Sequence, residues 1–457
     1  MKIVILGAGQ VGSSLAANLA SEANDITIVD IDQQRLALLS ERYDLQTITG
    51  VASHPSVLTR AGTKDADMII AVTNSDEINM LACQIAYTLF HTPTKIARVR
   101  EAEYLQHSSL FAQEALPIDV LISPEQLVTD YIVRLISFPG ALQVLDFADG
   151  KAQMVAIRAY YNGQLVGHTL KALAETLPNI EFRVMAIFRN GKPVIPEGDT
   201  VIEGDDEVFF IGANKSIREL MEFVREKEKP VRRIMLAGGG NIGRRLAIAL
   251  EKKYDVKMLE IDPLSAEYAS EKLQRGVVLL GDAADEEMLM DENIDQTDVF
   301  CAVTNDDEAN IISSMLAKRL GARKVMSLIN RAAYVDLVQS NIIDIAISPQ
   351  QATIGSLLAH IRKGDVVVVH SLRRGAAEAI EAIAHGDVNS SQVVGRPLAD
   401  IKLPPETSIG AIVRGDEVMV AHHDTVIEAD DHVILLVANK SRVPEVERLF
   451  QVGITFL

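Results

Sequence analysis

The chain repeats its own sequence once. AVTNSDEIN begins at residue 71 and AVTNDDEAN begins at residue 302, and seven of the nine letters agree. Five further pairs of segments, from KIVILGAGQVGSSLA and RIMLAGGGNIGRRLA onward, keep the same order with offsets between 225 and 231 residues. A fixed order over the whole chain indicates a duplication. A period of about 228 residues is too long for one solenoid repeat, so each half must fold as one or more globular domains.

Each half begins with short apolar strands separated by helical segments. In the first half the strands are KIVIL, DITIVD, LQTITG, DMIIAVT and KIARV. Strands that alternate with helices predict a parallel, doubly wound sheet, and fully apolar strands fit a sheet covered on both faces. A second region in each half, with short strands and tight turns, predicts a small α+β domain.

We therefore expect an α/β protein with two tandem Rossmann-like domains, each followed by a small α+β domain. The Rossmann-like domains are predicted at residues 1–123 and 232–348, and the small domains at residues 143–227 and 368–453. The charged segment REKEKPVRR, residues 225–233, is predicted to be an exposed linker between the halves.

Composition excludes several classes of protein. The 457 residues carry a formal net charge of −19, which opposes binding to the phosphates of a nucleic acid. It does not exclude docking on a membrane protein that offers a basic patch. No window approaches the roughly 18 uninterrupted apolar residues of a membrane helix, and the N-terminus lacks the apolar core of a signal peptide. The two cysteines, Cys83 and Cys301, are interpreted as reduced thiols of a cytoplasmic protein.

GAGQVG, residues 7–12, has the G-x-G-x-x-G spacing of a dinucleotide site, follows a strand and opens a helix. The first glycine allows the tight turn, the second leaves room for phosphates, and the third lets the helix pack on the strand. The helix N-terminus then favours phosphate through its free N–H groups and dipole. The predicted contact residues of this turn are Gly7, Ala8, Gly9, Gln10 and Val11.

Asp30 ends the next strand, 23 residues after Gly7. A carboxylate at this place accepts both hydroxyls of an adenosine ribose and repels a 2′-phosphate, so NAD is favoured over NADP. The alternative is a degenerate Rossmann fold that keeps its glycine turn for structure alone.

The second half repeats these features as GGGNIG, followed by an acid. The predicted contact residues are Gly238, Gly239, Gly240, Asn241, Ile242 and Glu260. Arg244 and Arg245 follow this turn directly. They either contact a phosphate or a neighbouring subunit, or they are ordinary solvated helix residues.

AVTN lies at the carboxyl end of the fourth strand of each half, where open α/β sheets hold ligands. Thr73 and Asn74, with Thr304 and Asn305 in the second half, are therefore predicted to lie beside the nucleoside. The acids that follow, including Asp76 and Glu77, suit the first turn of a helix better than a ligand site.

The two predicted sites are not identical. Arg98 at the end of strand five is predicted to contact a phosphate or ribose, and Ser327 is taken as its counterpart in the second half. The second half has Gly281, Asp282 and Ala283 where the first has Gly50, Val51 and Ala52. The two sites are expected to differ in ligand, in affinity or in both.

We find no set of catalytic residues. No G-x-S-x-G, H-E-x-x-H or Cys/His metal spacing is present, and no histidine is shared between the two small domains. His422, His423 and Asp424 resemble a metal cluster, but the first half has Glu197, Gly198 and Asp199 there, so a turn is the preferred interpretation. The sequence predicts neither catalytic nor metal-binding residues, and a nucleotide site without chemistry suggests sensing.

The order of a Rossmann-like unit, a crossover helix and a small β-rich unit resembles the RCK (KTN) regulators of potassium conductance. GAGQVG, DID, AVTNSDEIN and ARV are similar to the ligand-binding half of that family, and VVGRPLADIKLP through DTVIEADDHVILL is similar to its C-terminal domain. Two such units in one chain resemble the regulatory subunits of bacterial potassium uptake, and the resemblance covers essentially the whole chain.

This resemblance implies a protein that binds NAD(H), and also ATP or ADP, and that controls a membrane potassium channel subunit of the Trk type. It implies a peripheral protein on the cytoplasmic face of the inner membrane. Family members form a ring of eight Rossmann units, so two units per chain imply a homotetramer. The implied first site is Gly7 to Val11, Asp30, Thr73, Asn74 and Arg98, and the implied second site is Gly238 to Ile242, Glu260, Thr304 and Asn305. Val51 and Ser327 depart from the family pattern, which leaves the ligand of each site open.

Two other functions are weighed against this one. An NAD-dependent oxidoreductase acting on a small substrate would need an acid or base beside the nicotinamide, which the sequence does not offer. An NAD-responsive DNA-binding regulator would need a basic recognition helix, which is also lacking.

Overall fold

The computed structural model describes residues 1–20, 24–112, 114–161, 163–194, 196–224, 230–331, 333–335, 343–361, 365–372 and 376–452. Most of the predicted linker, residues 225–229, lies outside these ranges.

The first half begins with a six-stranded parallel sheet whose strand order is β3-β2-β1-β4-β5-β6. This order is that of a doubly wound dinucleotide-binding fold. Its strands are β1 (Lys2–Leu6), β2 (Asp25–Asp30), β3 (Gln46–Thr49), β4 (Met68–Ala71), β5 (Thr94–Arg98) and β6 (Val120–Ile122). Its helices are α1 (Gln10–Ala20), α2 (Gln33–Arg42), α3 (Pro55–Arg60), α4 (Asp76–Ile85) and α5 (Ala102–Leu105).

Helices cover both faces of this sheet, because its central strands carry apolar side chains on both faces. Val4 and Leu6 share a buried cluster with Val57 and Met80 from α3 and α4. Ile3 and Ile5 point to the opposite face and are equally buried. The predicted two-sided sheet is confirmed.

A crossover helix, α6 (Pro124–Ser137), leads to a five-stranded antiparallel sheet of order β10-β9-β11-β8-β7. Its strands are β7 (Ala141–Phe147), β8 (Ala152–Arg158), β9 (Arg183–Arg189), β10 (Lys192–Val194) and β11 (Glu207–Ala213). Helices α7 (Leu170–Thr176) and α8 (Asn214–Val224) complete this small α+β unit.

The second half repeats the parallel sheet in the order β14-β13-β12-β15-β16-β17. Its strands are β12 (Arg233–Ala237), β13 (Asp255–Glu260), β14 (Val277–Leu280), β15 (Val299–Ala302), β16 (Lys324–Leu328) and β17 (Ile345–Ile347). Its helices are α9 (Asn241–Leu250), α10 (Pro263–Lys272), α11 (Glu286–Asp291) and α12 (Asp307–Arg319).

The chain ends with a second crossover helix, α13 (Pro349–Ile361), and a second antiparallel sheet of order β18-β19-β22-β20-β21. Its strands are β18 (Val366–Leu372), β19 (Ala377–Ala384), β20 (Thr407–Arg414), β21 (Glu417–Val420) and β22 (Asp431–Val437), followed by α14 (Val443–Phe450). The predicted fold class, two Rossmann-like sheets each followed by a small α+β unit, is confirmed.

The chain divides into two compact units that do not coincide with its two halves. One unit comprises residues 1–127 and 350–357, and the other comprises residues 128–349 and 358–457. The start of α13, which belongs to the second half of the sequence, therefore packs with the first parallel sheet. Gln350 Nε2 donates a hydrogen bond to the carbonyl of Gln10 at 3.1 Å.

Within the second unit the two antiparallel sheets share one hydrophobic core. Phe147 and Phe209 of the first sheet lie in the same buried cluster as Leu372 and Ile434 of the second. Hydrogen bonds reinforce this contact: the Gln143 side chain donates to the Ser371 carbonyl at 3.0 Å, and the Ala148 N–H donates to Glu381 Oε2 at 2.8 Å. The two small units therefore form an internal pair related by the duplication.

His370 is a buried titratable group in this internal pair. Its Nε2 lies 2.9 Å from the Asp146 carbonyl, and its ring packs edge-on against Phe147 with centroids 5.0 Å apart. Burial lowers the pKa of His370 to about 4, against an opposing contribution from its hydrogen bond to Asp146; the nearby Arg134 charge lowers it further and the Asp146 carboxylate raises it. The imidazole is therefore neutral near pH 7 and donates its Nε2 proton to the carbonyl.

Acidification is expected to destabilise this pair through His370. The folded-state pKa lies below the ordinary value of 6.5, so the unfolded state binds the proton first and stability falls as the pH drops from 6.5 toward 4. Between pH 7 and pH 5 the loss from this one residue is about 2 kcal/mol. Urea unfolding of wild type and of His370→Gln at both pH values measures it. The variant should lose less stability on acidification, and equal losses in the two proteins would refute the assignment.

Cys83 and Cys301 are buried free thiols. Burial raises the pKa of each to about 12, so neither is a reactive thiolate at neutral pH. Within the described residues, no helix has the length and apolar character needed to span a bilayer.

Candidate functional site

The two glycine turns have nearly the same geometry. Gly7 has φ +105° and Gly238 has φ +107°, a conformation that side chains rarely adopt. A Cβ on Gly12 would lie 1.8 Å from the Gly7 carbonyl oxygen, and one on Gly243 would lie 1.9 Å from that of Gly238. The first and third glycines of each motif are therefore required for the turn and for the packing of the helix on the strand, as predicted.

The middle glycine of each motif faces open space. A Cβ on Gly9 or Gly240 would meet no atom within 4 Å. The neighbouring helix residues Gln10 and Asn241 are exposed, while Val11 and Ile242 are half-buried. Each turn therefore leaves its backbone accessible at the point where the sequence predicts a phosphate.

The glycine turn and the acid that ends the second strand are joined by hydrogen bonds. The Ala8 N–H donates to Asp30 Oδ2 at 2.5 Å, and the Asp32 N–H donates to Asp30 Oδ1 at 2.8 Å. In the second half the Gly239 N–H donates to Glu260 Oε2, and the Asp262 N–H donates to Glu260 Oε1 at 2.9 Å. Each carboxylate is held in place by one donor per oxygen and keeps further lone pairs for a ligand.

The AVTN segments are fixed by an asparagine that the sequence analysis did not single out. Asn79 Oδ1 accepts hydrogen bonds from the Thr73 N–H at 2.9 Å and from Thr73 Oγ1 at 2.7 Å, and Asn79 Nδ2 donates to the Arg98 carbonyl at 2.9 Å. Asn310 makes the same bonds to Thr304 and to the Leu328 carbonyl. The signal was present, because the last letter of AVTNSDEIN and AVTNDDEAN is this asparagine.

Thr73 and Thr304 are half-buried at the carboxyl end of β4 and β15, and Asn74 and Asn305 beside them are exposed. The structure thus brings these four residues to the same sheet edge as the glycine turns. The threonine hydroxyls are already engaged by Asn79 and Asn310, so their first role is to shape the edge.

The interpretation of Asp76 and Glu77 as helix-start residues is confirmed, since α4 begins at Asp76 and is capped by the Ser75 hydroxyl. Asp76 has a second role. Its Oδ2 accepts the N–H groups of Arg100 and Glu101 at 2.8 and 2.9 Å, which ties the loop after β5 to the start of α4. Asp307 binds the loop after β16 in the same way.

The predicted pairing of Arg98 with Ser327 is wrong. Ala97 is the partner of Ala71 in the first sheet, and Ser327 is the partner of Ala302 in the second, so the counterpart of Arg98 is Leu328. The first half carries one extra residue here because α4 ends in a π-helical turn, Ala86–Phe90, whereas α12 continues as an α-helix. A π-turn is a one-residue insertion into a helix.

The two sites therefore differ more than the sequence indicates. Arg98 and Arg100 of the first half correspond to Leu328 and Asn330 of the second. Arg98 donates to the Thr73 carbonyl at 2.8 Å, its Nε is buried without a hydrogen-bond partner in the described part of the chain, and Arg100 donates to the Asn74 carbonyl. Burial lowers the pKa of Arg98, and the Arg100 charge lowers it further. Two guanidinium groups therefore converge at the carboxyl edge of β4 and β5 in the first half alone.

The second site has its own cation on the other side. Arg244 donates to the Gly239 carbonyl at 2.7 Å and to Asn241 Oδ1 at 2.6 Å, and its guanidinium lies 4.9 Å from the ring centre of Tyr268. In the first half Ser13 occupies this place and donates to the Ala8 carbonyl at 2.8 Å. Arg244 is thus a structural part of the second glycine turn rather than a freely solvated residue.

The segment containing His422, His423 and Asp424 forms a turn, as preferred. The His422 N–H donates to Thr425 Oγ1 at 3.1 Å, and the Glu197 N–H makes the equivalent bond to Thr200 at 3.0 Å. Among the described residues, no group of His, Cys, Asp and Glu side chains is arranged to hold a metal ion.

Family comparisons match this architecture along its length. The TrkA-N domain matches residues 3–124 and 234–349, and the TrkA-C domain matches residues 154–225 and 387–451. The Trk system potassium uptake protein TrkA of Halomonas elongata is 62% identical over 456 residues, and the protein of the same name from Vibrio alginolyticus is 60% identical over 458 residues. Both matches cover 100% of each chain.

Solved structures share the fold at low sequence identity. The GsuK RCK domain superposes with a TM-score of 0.62 at 19% identity, covering 97% of this chain and 93% of that one. The GsuK channel bound to NAD gives a TM-score of 0.61 at 18% identity, covering 98% of this chain and 78% of that one. These likenesses establish the fold and leave the ligands of this chain to be argued from its own residues.

Proposed function

Because the chain belongs to the TrkA family, we propose that it is the nucleotide-sensing regulatory subunit of a potassium-uptake system. It binds NAD(H) and adenine nucleotides at its two glycine turns and controls potassium conduction by a membrane channel subunit of the Trk type. The observation that carries this proposal is the repeated cradle, an open glycine turn whose N–H groups hold the ribose-binding acid in place. The relatives are named for potassium uptake, and the GsuK channel has been solved with NAD.

The residues of both cradles fit a dinucleotide. The open face above Gly9 and Gly240 has room for phosphates. Asp30 and Glu260 offer free lone pairs to a ribose diol. The negative charge of each carboxylate would repel a 2′-phosphate. A nucleotide that binds one conformation of the protein more tightly than another shifts the equilibrium toward that conformation.

The distal half of each site suggests which ligand it prefers. A dinucleotide places its second nucleoside over the β4–β5 half of the sheet, and a nucleoside triphosphate places its terminal phosphate in that direction. Arg98 and Arg100 suit phosphate, whereas the apolar Leu328 suits a nicotinamide nucleoside. We therefore assign ATP or ADP to the first site and NAD(H) to the second as preferred ligands.

Converting the first site to the residues of the second tests this assignment. Arg98→Leu with Arg100→Asn should weaken ATP binding by about 1.5–3 kcal/mol, the usual value of hydrogen bonds to charged groups. NAD binding at the second site should not change. Calorimetric titration with ATP and with NAD measures both affinities. An unchanged ATP affinity would show that the two arginines do not contact the nucleotide.

Removing the acid of the first cradle tests the ribose contact. Asp30→Ala should weaken first-site nucleotide binding by about 1–3 kcal/mol, because the ribose hydroxyls lose their acceptor. Glu260→Ala is the matched control, since it should affect the second site alone. Titration of each variant separates the sites, and an unchanged first-site affinity in Asp30→Ala would contradict the assigned role.

As such a subunit, the chain acts as a peripheral protein on the cytoplasmic face of the inner membrane. It assembles as a homotetramer, so that two Rossmann units per chain complete a ring of eight. The proposed domain limits are residues 1–123, 143–227, 232–348 and 368–453.

Potassium flux through the reconstituted membrane subunit is the functional test. Flux should depend on nucleotide only when this protein is present. A channel whose flux ignores both protein and nucleotide would overturn the proposal. The alternative, an oxidoreductase, predicts NADH turnover with some small substrate. We expect no turnover, because the acids bonded to the glycine turns, Asp30 and Glu260, are already engaged by backbone N–H groups.

A further inference from the structure

The outer edge of the second parallel sheet differs in character from the equivalent edge of the first. β14 is the terminal strand of its sheet, and Val277 and Leu280 on it are exposed. The neighbouring helices expose Leu264 and Tyr268 on α10 and Met290 on α11. Leu264 is 76% exposed, Leu280 is 57% exposed and Met290 is 52% exposed, which is unusual for side chains of this size on one edge.

The first half carries polar residues at most of these positions. Strand pairing equates Val277 with Gln46, because their partners Lys257 and Thr27 are equivalent. By the same register Leu280 corresponds to Thr49, and the aligned helices place Gln34 and Thr59 opposite Leu264 and Met290. The duplication therefore supplies an internal reference: the same fold is stable with a polar edge, so the apolar edge of the second half is not needed for folding.

The two edges also differ in charge. Residues 282–298 contain eight acids and no Lys or Arg, whereas the equivalent residues 51–67 contain two acids and two bases. Glu286, Glu292 and Asp298 pair with Arg319, Lys257 and Arg323. The other five acids, Asp282, Asp285, Glu287, Asp291 and Asp295, form no ion pair with any residue that the structure describes. Asp295 and Asp298 lie near the start of β16, away from this edge. The edge surface, defined as Leu264, Tyr268, Val277, Leu280 and Met290 with the acidic residues 282–291, thus combines apolar side chains with four acids that form no ion pair with the described residues, against the two cations Arg244 and Lys272 beside Tyr268.

We propose that this edge surface docks a basic cytoplasmic segment of the membrane potassium channel subunit, an inference that rests on the proposed function. Cytoplasmic loops of membrane proteins carry an excess of Lys and Arg. An acidic rim around apolar anchors is complementary to such a loop, and it is repelled by the anionic lipids of the cytoplasmic leaflet. The occupant is therefore protein rather than lipid.

The edge surface is also connected to the second nucleotide turn. The Tyr268 ring packs against the Arg244 guanidinium, and Arg244 donates a hydrogen bond to the Gly239 carbonyl. Lys272 Nζ lies 5.3 Å from the centre of the same ring. A partner segment that packs on Tyr268 thus touches a side chain one step from the glycine turn. Leu38 and Ser13 are the first-half counterparts of Tyr268 and Arg244. The connection between the edge and the glycine turn is therefore confined to the second half.

Substitutions taken from the first half test the docking. Glu287→Ser with Asp291→Arg introduces the counterparts of Ser56 and Arg60, and Leu280→Thr with Met290→Thr introduces the counterparts of Thr49 and Thr59. Glu41→Arg with Asp44→Ser makes the same change of charge on the first half and is the control. Binding of the full chain to the channel subunit in nanodiscs is measured by interferometry at low and high salt.

Each edge variant should weaken binding by at least about tenfold, and the charge variant should also reduce the salt dependence. The control should bind as wild type does. Wild-type protein that binds and confers nucleotide-dependent flux, with edge variants that bind equally well, would overturn the docking surface and leave the proposed function intact. Wild-type protein that does not bind the channel subunit would overturn both. A changed sedimentation coefficient of an edge variant alone would identify the occupant as a second copy of this chain and would also overturn the inference.

Discussion

A Gly12→Ala protein is expected to lose nucleotide binding at the first site and part of its stability. The new Cβ would lie 1.8 Å from the Gly7 carbonyl oxygen, which is a backbone atom. Gly7 cannot move away easily, because it has φ +105° and its N–H is bonded to the Val29 carbonyl at 2.8 Å. Helix α1 must therefore shift on β1, at a cost of about 1–3 kcal/mol or more.

Urea unfolding and nucleotide titration together measure this effect. Gly9→Ala is the matched control for stability, because its Cβ meets no atom within 4 Å. Gly243→Ala should reproduce the loss at the second site, where the corresponding distance is 1.9 Å. A Gly12→Ala protein with wild-type stability and affinity would show that the turn relaxes without consequence, which contradicts the tight packing described above.

A Gly9→Val protein is expected to behave differently, keeping its fold and losing its ligand. No protein atom lies within 4 Å of the position of its Cβ, so we expect the fold to be kept. The valine instead occupies the space that a phosphate needs above the turn. We expect the first-site affinity to fall by about 100-fold or more, equivalent to about 3 kcal/mol.

Titration with ATP and with NAD, together with a melting curve, distinguishes this variant from Gly12→Ala. Gly240→Val should abolish binding at the second site and leave the first intact. If Gly9→Val bound nucleotide normally, the alternative would hold: a degenerate Rossmann fold that keeps its glycine turn for structure alone.

Much of the first parallel sheet could be predicted from the sequence, because its strands are short, apolar and separated by helical segments. The five predicted strands appear as β1 to β5. The sixth strand, Val120–Ile122, was missed because three residues give no periodicity to detect. The repeated glycine turns and their acids were identifiable because glycine and carboxylate roles follow from local geometry.

Other features depend on contacts that no local pattern contains. The start of α13 lies with the first sheet although more than 300 residues of sequence separate it from α1, as the 340-residue spacing of Gln350 and Gln10 shows. The shared core of the two small units is equally non-local. The counterpart of Arg98 was misassigned because a π-turn shifts the register by one residue, and only the strand pairing shows it.

The most direct measurement is a crystal structure of the protein grown with ATP and NAD. We expect nucleotide at both glycine turns, with one ribose on Asp30, another on Glu260, and phosphates against Gly9 and Gly240. Two glycine turns that stay empty at saturating nucleotide, or that are filled by the protein's own side chains, would contradict it.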